Sequence, residues 1–116
     1  MSPRRRAASK DKPLSSFAPL FAALGDETRL RLIAALCMGG AMSITQLTLG
    51  TDITRQAITK HLSVLAAAGL VRDVRLGRER LWEFEPGSLE EARRSLAAIG
   101  QQWDNALARL KLAVES

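Results

Sequence analysis

The stretch that most constrains this chain is residues 53–69, ITRQAITKHLSVLAAAG, which carries its own start signal, its own stop signal and two chemically opposite faces. Thr54 is placed as an N-cap, since its hydroxyl can accept from an unpaired amide of the first turn. Ile53 and Ile58 flank it with the spacing of a hydrophobic staple. Gly69 supplies the residue that closes a helix in the left-handed conformation. Ile58, Leu62 and Leu65 recur at i, i+4, i+7 and form one apolar stripe. Gln56, Thr59, Lys60 and Ser63 recur at i, i+3, i+4, i+7 on the other side, flanked by Arg55. A helix that only has to stay soluble usually mixes acids with bases. This face has no acid, only donors and amides suited to phosphates and base edges. The pattern predicts a helix that enters the major groove of DNA.

Charge supports an anionic partner and shows where it would sit. The 116 residues carry a formal net charge of +5, which by itself would suit RNA or a membrane surface equally well. The distribution is more informative. Residues 1–13 hold five bases against Asp11, and residues 54–80 hold six (Arg55, Lys60, Arg72, Arg75, Arg78, Arg80) against Asp73 and Glu79. The two remaining segments are slightly acidic. One of the two positive concentrations therefore spans the 53–69 helix and the residues immediately C-terminal to it. A hydrophobic content of 47% is that of an ordinary folded domain, and the length suits a single one. The one cysteine, Cys37, excludes an internal disulfide framework and fits a reducing compartment. Pro19 and the acidic GDETR segment argue against a secretory leader, and no uncharged run reads as a membrane span. The expected location is cytoplasmic.

Residues 1–13 are rich in Arg, Lys, Ser and Pro and read as a disordered basic arm, a solvated tail more readily than a DNA-touching one. Residues 14–116 read as one DNA-binding domain. Leu14, Phe17, Leu20, Phe21 and Leu24 suggest a first helix over about 14–24, perturbed near Pro19. Asp26 offers an N-cap for a second helix over 27–38, which would place Leu30, Ile33, Ala34 and Cys37 on one inward face. A short third helix is expected over 45–49, and Gly50, Thr51 and Asp52 would form the turn into the next helix. Two helices joined by a short turn, the second with a bare polar face, make a helix-turn-helix.

Beyond Gly69 the period becomes extended. LVRDVRL and RLWEF, separated by Gly77-Arg78-Glu79, predict a β-hairpin bearing Arg72, Arg75, Arg78 and Arg80. Such a basic hairpin beside a helix-turn-helix suits the DNA backbone or minor groove; a charged edge hairpin that merely resists aggregation has a similar composition. Trp82 and Phe84 share one face and are expected to close the core. Ser88 and Glu91 have the spacing of a capping box, opening a last helix over 88–114. Leu89, Ala92, Leu96, Ile99, Trp103, Ala106, Leu110 and Ala113 alternate by three and four along it, and Leu107 and Val114 widen the seam. So long a seam at the end of a small domain predicts a second copy of the chain against it.

Taken together, GDETRLRLIAAL, ITRQAITKHLSVLAAAGLV and RLGRERLWEFEP resemble the arsenic-repressor (ArsR) family of winged helix-turn-helix transcription regulators. The resemblance covers roughly residues 17–113 and implies a mainly α (α+β) fold with a hairpin wing and a long C-terminal dimerisation helix. It implies a homodimeric repressor on an inverted-repeat operator, pairing through its first and last helices. Thr54, Arg55, Gln56, Thr59 and Lys60, with Arg78 and Arg80 of the wing, then stand for the DNA contacts; Ser63 on the same helix face and Arg75 on the hairpin are expected to join them from their own position and charge. Phe17, Leu20, Phe21, Leu96, Ile99, Trp103, Leu107 and Leu110 stand for the dimer interface. Lys60-His61-Leu62 matches the family's frequent (Lys/Arg)-His-Leu triplet.

One departure matters. Metal-sensing members of that family carry a Cys-x-Cys pair near the helix-turn-helix, or His and acidic clusters on the last helix. This chain has one cysteine and one histidine in all, too few for a closed thiolate and imidazole site. The expectation is the non-metal branch, with no cofactor and an unknown effector. Cys37 on its apolar face reads as core, and His61, near a face boundary, as a packed or phosphate-bonding residue. Neither paired carboxylates nor a nucleophile with its base stands out, so no enzyme is expected. Two other readings remain open at this level: a sequence-neutral architectural DNA-binding protein, and an antitoxin-like protein-interaction module.

Overall fold

The computed structural model describes residues 12–115, so residues 1–11, most of the expected basic arm, lie outside the described part. The described residues divide into two compact units, Ala18–Leu89 and a second made of 12–17 and 90–115. The first unit holds α1 (Ala18–Leu24), α2 (Glu27–Gly39), α3 (Ile44–Thr51), α4 (Arg55–Ala67) and the strands β1 (Val71–Leu76) and β2 (Glu79–Phe84). The second holds a 3-10 turn at Leu14–Phe17 and most of α5, which runs Gly87–Glu115. Pro19 falls in the first turn of α1, where its missing N–H leaves no bond unmade.

Each helix from α2 to α4 begins on a residue that satisfies its free amides. The Asp26 carboxylate accepts from the Arg29 amide at 3.0 Å and starts α2. Ser43 and Gln46 form a reciprocal capping box at the head of α3, with bonds of 3.1 and 2.8 Å. The Thr54 hydroxyl accepts from the Ala57 amide at 3.2 Å and starts α4. Gly69, at φ +79°, closes α4 in a Schellman arrangement: Leu70 N–H donates to Leu65 O and Gly69 N–H to Ala66 O. α3 is longer than its sequence suggests. Gly50 and Thr51 belong to it, and the turn into α4 is made by Asp52, in the left-handed region at φ 65°, with Ile53 and Thr54.

The core lies between these helices and the hairpin. Leu32 and Leu36 from α2, Leu47 from α3, and Ile58, Leu62 and Leu65 from α4 are fully buried, joined by Leu20, Leu70, Val71 and Trp82. The hairpin pairs Val71 with Phe84 through Leu76 with Glu79, leaving Gly77-Arg78 as a two-residue turn. Met42 adds a single antiparallel bridge to Trp82, with bonds of 2.9 and 2.8 Å, so the wing begins as a third strand of one residue. Trp82 closes the core as expected, while Phe84 is half-buried.

The structure departs from two expectations. The inward face of α2 is Leu32, Ile33 and Leu36, whereas Leu30, Ala34 and Cys37 point outward and Met38 is 90% exposed. The helix is leucine-rich all round, so two stripes overlap in its sequence. The stripe that wins contains Arg29, whose guanidinium donates to the carbonyls of Ala22 and Ala23 at the end of α1. Cys37 is therefore a surface thiol rather than a core residue. The second correction concerns Ser88. α5 starts at Gly87, which puts Ser88 inside its first turn instead of at the cap, and the Glu91 carboxylate instead accepts from Lys12 Nζ at 3.4 Å.

In the second unit Phe17 is buried and lines a groove with Leu14, Ala98 and Ile99, rimmed by Lys12, Glu91 and Arg94. The Arg93 guanidinium donates to Glu90 at 3.0 and 2.6 Å and holds that carboxylate below its ordinary pKa. Further along α5, Leu96, Ile99, Trp103, Leu107 and Leu110 are exposed. Of the first-helix residues assigned to pairing, Phe17 and Leu20 are already buried within the chain and Phe21 is half-buried.

The Asp26 carboxylate has a depressed pKa, chiefly because the Arg29 amide donates to it, with smaller attractions from the Arg29 and His61 side chains. Its contribution to stability is present above the unfolded aspartate pKa of about 4 and is lost as pH falls through the lower folded value. Asp26→Asn, which keeps a capping oxygen, is expected to flatten the acid limb of the stability profile below about pH 4. Urea midpoints measured across that range check it, and parallel limbs for the two proteins would contradict it.

Candidate nucleic-acid interface

α4 presents the polar face that its sequence spells out. Arg55, Gln56, Thr59, Lys60 and Ser63 are all exposed and line one shallow, open depression along the helix. Directly opposite, Ile58, Leu62 and Leu65 have no solvent exposure. The helix is thus held from one side only. Two of the exposed side chains are oriented by neighbours: Arg55 Nη1 donates to Thr45 Oγ1 of α3 at 3.2 Å, and Thr59 Oγ1 donates to the Arg55 carbonyl at 3.0 Å. Among the described residues Gln56, Lys60 and Ser63 have no side-chain partner, so their donors and acceptors are turned to solvent. Thr54 sits beside them, with its hydroxyl committed to the cap.

His61 lies on the flank of α4 and is 24% exposed. Its Nδ1 stands 3.3 Å from Arg29 Nη1 and 4.0 Å from the Asp26 carboxylate. It is a packed, hydrogen-bonded histidine.

The hairpin sorts its four arginines in a way that composition alone does not reveal. Arg72 is bonded to Glu83 at 2.6 and 2.7 Å and lies 3.5 Å from Glu85; the Glu83 bond raises its pKa further. Arg80 donates to Asp73 at 2.9 Å and lies over the Trp82 ring, 4.9 Å from its centroid. Arg75 and Arg78 make no ion pair among the described residues. Arg75 moreover faces Arg80 across the strands, a like-charge pair whose repulsion the Arg80–Asp73 ion pair reduces. The unneutralised positive charge of the wing therefore lies at the turn and beside it. Sequence reading missed Thr45 as a support for Arg55, Arg29 as the partner of His61, and the bridge at Met42. A threonine ten residues before the arginine gives no periodic signal, and single-residue bridges have none.

A helical pair with a bare, acid-free second helix, followed by a two-stranded basic hairpin, defines a winged helix-turn-helix protein. A family model described as a helix-turn-helix domain matches residues 24–74. The chain is 42% identical over 71 residues to the HTH-type transcriptional regulator YuzN of Bacillus subtilis, covering 56% of this chain and 77% of that one. It is similar to the solved structure of an ArsR-like transcriptional regulator from Rhodococcus sp. RHA1, with 39% identity, a TM-score of 0.75, and coverage of 84% and 92%. It is also similar to the cadmium metal-sensor CMTR of Mycobacterium tuberculosis, with 34% identity, a TM-score of 0.53, and coverage of 66% and 75%. The chain belongs to the ArsR family of winged helix-turn-helix proteins, and it is a DNA-binding transcriptional regulator. Its relatives are regulators rather than enzymes. No helix of the described residues is long and apolar enough to cross a membrane.

Gly77 holds φ +66° at the first position of the wing's two-residue turn, a place that favours glycine. Gly77→Val is expected to lower stability by about 1–3 kcal/mol through backbone strain. A fall in the urea midpoint at constant slope would show it; an unchanged midpoint would contradict it.

Proposed function

We propose that the protein is a homodimeric repressor that binds an inverted-repeat operator, each α4 reading one half-site and each wing gripping the adjacent backbone. The observation that carries this reading is the exposed face of α4, free of acids and fixed from behind by three fully buried side chains. Arg55 and Gln56, in the first turn, have the reach and donor pattern to read guanine and adenine. Thr54, Thr59, Lys60 and Ser63 complete the contact along the helix. Arg75 and Arg78, which have no ion-pair partner among the described residues, meet phosphates first, and Arg80 joins them by leaving Asp73.

Pairing is supported by the apolar seam of α5. Leu96, Ile99, Trp103 and Leu110 follow the a/d spacing and Leu107 widens it, yet all five face solvent in the single chain, with Trp103 64% exposed. A second copy would cover that seam and set the two recognition elements about one helical turn of DNA apart. The relative from Mycobacterium tuberculosis is a cadmium sensor by name. In this chain, with one cysteine and one histidine and the imidazole engaged by Arg29, the release signal is assigned to something other than a thiolate-bound metal. The protein acts in the cytoplasm, where its DNA target lies.

Arg55→Ala and Gln56→Ala are each expected to cost about 1–3 kcal/mol of operator affinity and to relax base preference. Arg78→Ala is expected to lower the salt slope by about one instead. Anisotropy titrations of operator and random duplexes at several salt concentrations check both; equal losses on the two duplexes would reject the base-reading role.

Trp103→Glu places a charge within the seam and is expected to convert a dimer to a monomer. Light scattering reads the mass, and an unaltered mass would reject the interface.

A further inference from the structure

The apolar stripe of α4 fixes how deeply the helix sits and its packing limits rotation about the helix axis, but hydrophobic contacts are non-directional and leave the final angle to directional bonds. Two directional bonds flank the stripe. Arg55 and His61 are six residues apart, hence about 120° apart around an α-helix, on opposite flanks of the Ile58, Leu62 and Leu65 stripe. Each is tied to a different preceding helix. Arg55 Nη1 donates to Thr45 Oγ1 of α3 at 3.2 Å, and Arg29 Nη1 of α2 donates to His61 Nδ1 at 3.3 Å. The Arg55 bond is exposed; the one to His61 is partly buried, and its donor is immobilised. Arg29 Nε donates to Ala23 O at 2.6 Å, Nη2 to Ala22 O at 3.4 Å, and its backbone amide to Asp26 at 3.0 Å.

We propose that Arg29, acting through His61, is a positioning residue that sets the rotation of α4 and so the aim of its reading face. The inference deepens the proposed function and rests on the reading that this face meets DNA. A guanidinium has only donors, so His61 must offer the Nδ1 lone pair and carry its proton on Nε2. A rotation of about 20° would carry a side-chain tip roughly 2 Å, given a helix radius of about 5–6 Å with side chains. That displacement breaks a bidentate base contact, whose geometry tolerates only a few tenths of an ångström, while leaving phosphate attraction nearly intact. The network thus serves specificity more than affinity at large. It also gives GDETR and KHL a common purpose: Asp26 and Arg29 of the first segment meet His61 of the second.

The test uses the full chain and the duplex that the wild-type protein enriches from a random-sequence library. His61→Leu keeps bulk without an acceptor, and His61→Asn restores an oxygen near the place of Nδ1. Measured well below both melting temperatures, His61→Leu is expected to lose about tenfold in affinity for the enriched duplex. Its binding to a scrambled duplex is expected to stay close to wild type. His61→Asn is expected to regain most of the loss. Wild-type discrimination in His61→Leu, or no recovery in His61→Asn, overturns the proposal, since a purely structural residue would change melting temperature alone. Long-range nitrogen NMR of the wild type gives a second readout that needs no variant to fold. In the neutral ring Nδ1 is expected to be the unprotonated nitrogen, and the opposite tautomer overturns the proposal. Arg55→Ala serves as the control. If it too leaves discrimination intact, the reading of α4 has failed rather than the role of Arg29.

Discussion

Everything on the polar side of α4 depends on the burial of Ile58, Leu62 and Leu65. Removing each such side chain from water contributes about 1.5–3 kcal/mol as an upper estimate, and all three lie on a single stripe with no exposure. Because the helix is capped at both ends by its own residues, no further contact is needed to start or stop it. One-sided burial then has a direct consequence. The outer face is relieved of any packing duty and can be composed for a ligand, and its composition excludes acids. Leu32, Leu36 and Leu47 are equally buried on the two preceding helices, which pack against α4 and so support it.

How much of this is legible in the sequence depends on how local each signal is. The start, stop and two faces of α4 are set within 17 residues, and sequence and structure agree on them. They agree too on the hairpin, whose alternation and Gly77 turn are equally local. The α2 face differs from expectation because residues 27–38 carry two overlapping apolar stripes. The winning one includes an arginine that sequence patterns count as polar. Its guanidinium is satisfied by the α1 carbonyls, a fact that only the fold supplies. Ser43-Gln46 and Ser88-Glu91 share the same cap pattern, and only the first makes a box. The difference lies in the backbone, since α5 is already helical at Gly87.

The wing shows the same limit for electrostatics. Its arginines look equivalent in composition, yet register decides their fates: Arg72 falls opposite Glu83, while Arg75 falls opposite Arg80. Neighbouring acids neutralise the base of the hairpin and leave its outer part positive. The distribution concentrates positive field at the turn of the hairpin and removes it where the core must close.

The two tryptophans occupy opposite situations. Trp82 is 8% exposed beneath the Arg80 guanidinium, and Trp103 is 64% exposed on the seam of α5. The chain therefore carries two indole fluorophores in unlike surroundings, with no label needed. The shielded one emits at shorter wavelength and responds when Arg80 is drawn away toward an anion. The wet one shifts only when another surface excludes water from the seam. Changes in the two emission components would distinguish wing engagement from subunit association in a single spectrum.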